Sequence, residues 1–312
     1  MSLFCIIGSL LGIVILSTLD RSDEKQLRTN IRQSVLKRYP EGISELYQNY
    51  GMIVDSASFP LKKRLIVLIH GLDEPGFIWK DLKVAFAKSK IDFIEFRYPN
   101  DQPIMDSTRF LAENIQTLGE LGVQDLILVG HSMGGLVARA FVSLPEIDYS
   151  SHHARGQYPK IRSLIQVGTP NQGSDWARLR VFLEIRDHSK QILEGDWKWW
   201  KILADGAGEA KIDLLPNSDF LEKLNLQKIP PSIHVCMIAG HWNIGTNNSI
   251  QDWVNHFGDG VVPVSSVWIE GQQNRHLLSG NHFSLLRNYL WNHQGTPVAI
   301  PIIIETIHSS NF

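Results

Sequence analysis

Cysteine is almost missing from this chain. Its 312 residues include two, Cys5 in an N-terminal apolar segment and Cys236 in an apolar β-like run. Neither stands in a pattern that suggests a metal or a redox pair, which excludes a disulfide framework. An excess of either charge is missing too: 30 basic residues against 32 acidic ones leave a formal net charge of −2. With no basic footprint, nucleic acid is not an expected partner. Low-complexity tracts and internal repeats are also absent, so a repeat architecture is excluded. What remains is ordinary globular material, 43% hydrophobic and 20% charged. That suffices for one large α/β domain with an insertion.

Charge is likewise absent from Ser2 to Leu19, where Leu, Ile, Val and Gly dominate. As a helix, such a segment spans about 27 Å at ~1.5 Å per residue, close to the ~30 Å hydrocarbon core of a bilayer. No positive residue precedes it, as one would in a signal peptide. Residues 1–19 therefore read as a single-pass membrane anchor. A cleaved signal, leaving a secreted or periplasmic protein, and a buried N-terminal helix are the alternatives. The polar stretch that follows places Leu27, Ile31, Val35 and Leu36 on one helical face. It reads as a linker helix within a linker region, 20–60.

From Arg64 onward, strand-like runs alternate with amphipathic ones. The runs cover 64–70, 91–97, 126–130, 162–168 and 233–239, with helical spacing over 77–89, 106–121 and 134–144. Continuous apolar strands separated by helices predict a mostly parallel sheet covered on both faces, here assigned to 61–312. Ligands of such sheets bind beyond the carboxyl ends of the strands. His70-Gly71, Gly130-His131-Ser132 and Gly168-Thr169-Pro170 each fall at one such end. Residues 176–228 break the alternation with Trp176, Trp197, Trp199 and Trp200 among many charges. That stretch is too long for a plain connection. It is either a cap or lid over the substrate or a helical insertion that only packs on the domain.

Leu126 to Val137 join an apolar strand, a Gly-x-Ser-x-Gly turn and the start of an apolar helix. A serine on a strained strand-to-helix turn, flanked by glycines, is one way to expose a nucleophile. The three fixed positions alone arise by chance in roughly one 300-residue chain in ten, so the surroundings decide. These hold Ile69-His70-Gly71-Leu72, Val167-Gly168-Thr169-Pro170-Asn171-Gln172-Gly173-Ser174, Gly258-Asp259-Gly260-Val261-Val262-Pro263 and Gly280-Asn281-His282-Phe283. On these residues the chain resembles the α/β-hydrolase superfamily, and within it serine lipases and esterases with a His-Gly oxyanion motif. The resemblance covers roughly 64–290 and follows the chain order Ser, Asp, His. It implies an α/β-hydrolase fold with helices on both faces of the sheet and a helical cap.

Ser132 is then the nucleophile, and a serine hydroxyl needs a base to take its proton. Of twelve histidines, His282 is favoured. It follows Leu277-Leu278 in a Gly-Asn-His turn and precedes the helix-like 283–290. His276 is the competitor, but it lies before or in the last strand, facing the other end of the sheet. The resemblance places the acid at Asp259, with Asp252 or a mere turn aspartate as alternatives. Oxyanion donors are expected from the backbone N–H groups of Met133, after the nucleophile, and Leu72, after the early strand. His131 is expected to pack under the elbow and His70 to brace the oxyanion loop. Residues 169–174 would wall the site or form a structural turn.

The expected activity is hydrolysis of carboxylic esters, with lipid-like acyl esters as substrates, through an acyl-enzyme and without metal or organic cofactor. An acyltransferase or thioesterase would use the same triad. A non-catalytic, membrane-tethered binding module would be expected to have lost a triad residue, and all three are present. Nothing in the sequence indicates an oligomeric state.

Overall fold

Two strands, β2 (Arg64–Ile69) and β4 (Asp125–His131), are buried along almost their whole length, Arg64 excepted. Continuous burial of that kind requires cover on both faces of the sheet. The computed structural model describes residues 21–38, 49–53, 61–72, 76–174, 208–241, 258–288 and 295–310. Within them, seven strands run in the order β1-β3-β2-β4-β5-β6-β7. The other strands are β1 (Gly51–Ile53), β3 (Phe93–Arg97), β5 (Lys160–Val167), β6 (His234–His241) and β7 (Arg275–Ser279). β1 pairs antiparallel with β3, and every other pairing is parallel.

The described helices are α1 (Arg21–Arg38), α2 (Lys80–Ser89), α3 (Ile104–Glu120), α4 (Met133–Ser143), α5 (Tyr149–Ala154), α6 (Glu209–Asp213), α7 (Asp219–Asn225), α8 (Val264–Val267) and α9 (Ala299–Ser309). Side chains alternate across a strand, and β2 divides accordingly. Leu65, Val67 and Ile69 meet Leu111 and Ile115 of α3 and Leu136 and Phe141 of α4 on one face. Ile66 and Leu68 meet Leu82 and Phe86 of α2 and Ile300, Ile303 and Ile307 of α9 on the other. The chain turns from β2 to β3 on one side and to β4 on the other. At such a reversal of strand order, beyond the carboxyl ends of the strands, parallel sheets bind their ligands.

Several elements differ from the sequence reading. β1 carries too short a pattern to register, and α9 lies outside the predicted helices although Ile300, Ile303 and Ile307 share one buried face. The helix expected over 283–290 is a series of turns through Leu286, with 289–290 outside the described residues. Asn281 Oδ1 accepts the N–H groups of Phe283 and Ser284 at 3.1 and 2.9 Å, capping the first of these turns. α1 does not bury Leu27, which is exposed. On the same helix Lys25 pairs with Asp213 of α6. Asp213 Oδ2 also accepts the N–H of Ile104 at 3.0 Å, at the start of α3. The anchor at 1–19 and the tryptophan-rich part of the insertion lie outside the described residues. Among those described, no helix is long and apolar enough to cross a membrane.

Candidate active site

β4 ends at His131 and α4 begins at Met133, so Ser132 makes the whole turn. Its φ of 52° and ψ of −127° are strained for a residue with a Cβ, at a cost of order 1–3 kcal/mol. The surroundings impose it. Ser132 N–H donates to Val167 O at 2.9 Å and Ser132 O accepts from Gly135 N–H at 3.1 Å. Helix α4 starts hard against the end of β2. A Cβ on Gly134 would lie 2.1 Å from Ile69 O, and one on Gly71 would lie 2.7 Å from Ser132 Cβ. Only glycine permits both approaches.

His282 and Asp259 arrive from loops at the same end of the sheet. The His282 Nδ1–H donates to Asp259 Oδ2 at 2.7 Å, with both residues almost fully buried. Asp259 Oδ1 accepts the N–H groups of Val261 and Val262 at 2.9 and 2.7 Å. Its backbone carbonyl accepts His282 N–H at 3.0 Å. The tight Gly-Asp-Gly-Val-Val loop thus spends one carboxylate oxygen on itself and aims the other at the imidazole. Nδ1 carries the proton shared with the acid, which leaves Nε2 as the ring's other nitrogen. Gly168 connects the pair to the serine. It follows Val167, the acceptor of Ser132 N–H, and a Cβ there would lie 3.1 Å from both Asp259 Oδ2 and His282 Nδ1.

Leu72 and Met133 are buried beside the elbow. Among the described residues, no group accepts either backbone N–H. His70 Nδ1 lies 2.8 Å from Gly71 O. Its ring stacks on Tyr98 at 4.6 Å, and the Tyr98 hydroxyl donates to His70 O at 2.6 Å. His131 is fully buried and its Nε2 lies 3.0 Å from His282 O. His276 is not brought to this group: on edge strand β7, its Nε2 meets Asn274 Oδ1 at 2.8 Å. Asp252 lies outside the described residues, and no cluster among those described could hold a metal ion.

One polar network was not anticipated. Arg139 of α4 is buried and donates to Asn171 Oδ1 at 3.1 Å, Asn225 Oδ1 at 2.8 Å and Leu224 O at 3.4 Å. Burial pulls its guanidinium down to about 10. Asn171 Nδ2 donates to Gln166 Oε1 at 2.9 Å and Val267 O at 2.7 Å, and Ser266 Oγ donates to Gly173 O at 2.6 Å. The segment 169–174 therefore ties the elbow helix to the chain following Asp259. The sequence carried one signal of this, a lone arginine in an otherwise apolar helix.

A family model described as PGAP1-like alpha/beta domain matches residues 95–270, more than half of the chain. Among solved structures, the chain is similar to the mature form of the lipase BlEst2 of Bacillus licheniformis. The two are 21% identical, the match covers 76% of this chain and 91% of the lipase, and the TM-score is 0.50. The propeptide form of that lipase aligns with the same identity and a TM-score of 0.51, over 76% of this chain and 49% of the other. No curated protein matches the sequence.

Proposed function

Because this chain belongs to the PGAP1-like alpha/beta domain family of α/β-hydrolases, we propose that it is a serine hydrolase of carboxylic esters. The observation that carries this reading is the buried Asp259–His282 pair, 2.7 Å apart, at the sheet end where Ser132 makes its strained turn. In this reading His282 Nε2 takes the Ser132 hydroxyl proton as Oγ attacks the ester carbonyl. Asp259 holds the ring and stabilises the imidazolium. The Leu72 and Met133 N–H groups donate to the oxyanion of the tetrahedral intermediate, where one such donor is worth about 2.7–4 kcal/mol. His282 then protonates the leaving alcohol, and water resolves the acyl-enzyme through the same groups.

The substrate is read as a lipid-like acyl ester, on the strength of the apolar N-terminus and the tryptophans of the insertion. Residues 1–19 are proposed as an anchor that keeps the enzyme at its substrate's membrane. Turnover of p-nitrophenyl butyrate and p-nitrophenyl palmitate tests the activity and its chain-length preference together. Hydrolysis abolished by Ser132→Ala and faster for palmitate is expected. Unchanged turnover in Ser132→Ala would overturn the triad, and activity confined to butyrate would remove the lipid preference. Fractionation of cells carrying the full chain, or the chain lacking 1–19, tests the anchor. Its removal should release the protein from membranes.

A further inference from the structure

His131 stands immediately before the proposed nucleophile, yet its side chain is directed at the proposed base. We infer that His131 is a positioning residue that sets His282 against Ser132, an inference that rests on the triad reading above. Its Nε2 lies 3.0 Å from the backbone carbonyl of His282. A carbonyl oxygen only accepts, so Nε2 carries the proton and donates it. The rings of the two histidines lie 4.6 Å apart at 47°. Trp79 presents itself at 84° and 6.4 Å to His131. His131 and Trp79 are both fully buried, which restricts the imidazole to one orientation.

This bond differs in kind from the ones Asp259 makes. Asp259 fixes the ring through Nδ1 and the backbone through His282 N–H, but Asp259 belongs to a separate loop. His131 is covalently next to Ser132. Its bond therefore refers the base directly to the residue whose proton it takes, with one side chain between the two backbones. A triad works only within a narrow range of separation, and misplacement by about 1 Å can cost on the order of 10²-fold. Packing under the elbow would need only an apolar ring at position 131. A donor aimed at His282 O is more than packing requires.

Two substitutions separate the donor from the ring. His131→Phe keeps a buried aromatic ring and loses the N–H; His131→Gln loses the ring and keeps an amide N–H of similar reach. With p-nitrophenyl butyrate, His131→Phe should lower kcat roughly ten-fold with KM within about two-fold, since a buried carbonyl loses its donor. His131→Gln should recover most of that loss. A Phe variant as fast as wild type, or a Gln variant as slow as Phe, overturns the inference while Ser132→Ala remains inactive. Turnover surviving in Ser132→Ala overturns the triad reading and this inference with it. A measurement on the unsubstituted protein does not depend on the variants folding. The histidine nitrogen shifts in a long-range proton–nitrogen NMR spectrum at neutral pH should report His131 protonated at Nε2. A proton on Nδ1 alone contradicts the inference.

Discussion

Asp259 and His282 touch twice: carboxylate to imidazole at 2.7 Å and carbonyl to backbone N–H at 3.0 Å. Because Asp259 Oδ1 is already taken by Val261 and Val262 N–H, the carboxylate cannot rotate away without breaking its own loop. Asp259→Asn should preserve the loop, since the amide oxygen can still accept from those N–H groups. The amide nitrogen then faces Nδ1, favouring the wrong imidazole tautomer. A fall in kcat on the order of 10³–10⁴ is expected, with the fold intact. Steady-state kinetics and circular dichroism on the same sample check both parts.

Two glycines beside the elbow should respond differently to alanine. At Gly134 the added methyl would meet a backbone carbonyl at 2.1 Å, and nothing there can yield cheaply. Gly134→Ala should lower stability by roughly 3 kcal/mol or more, read as the urea midpoint. At Gly71 the methyl would meet the Ser132 side chain at 2.7 Å. Gly71→Ala should fold but displace Ser132, lowering kcat on the order of 10²-fold.

Asn171→Ala removes one of the three acceptors of Arg139 and the donor to Gln166 and Val267. It also leaves a buried guanidinium short of partners. A loss of about 2–4 kcal/mol is expected by chemical denaturation. Asn171→Asp would place a charge partner beside Arg139 and should be the milder change.

The carboxyl of Asp213 is raised above the usual carboxylate range by burial, which outweighs the opposing pull of Lys25. A group with a raised folded pKa contributes most to stability below its unfolded pKa of about 4, and loses that contribution as pH rises through the folded value. Asp213→Asn does not ionise, so it escapes the loss. Its melting temperature relative to wild type should therefore rise as pH increases above about 4. A gap that stays constant or shrinks would contradict the burial argument.

Much of this architecture is legible in the sequence because it depends on short-range patterns. The alternation of β2 across two faces, and the glycines that let α4 start against Ile69, are visible in runs of a few residues. The positions of Ser132, Asp259 and His282 come from turn motifs of the same kind. What escaped reading joins distant segments: His131 and His282 are 151 residues apart, and Arg139 and Asn225 are 86. No local periodicity encodes such pairs. Helical spacing in α1 predicts a face but not a partner, and the pairing of Lys25 with Asp213, 188 residues away, has no local signal.

The central claim is that Ser132 is a nucleophile activated by His282. Labelling the folded protein with a fluorophosphonate, followed by peptide mass spectrometry, tests it most directly. A single adduct on Ser132 is predicted, lost in Ser132→Ala and formed far more slowly in His282→Ala. A folded wild-type protein left unlabelled, or an adduct that forms equally well in Ser132→Ala, would contradict it.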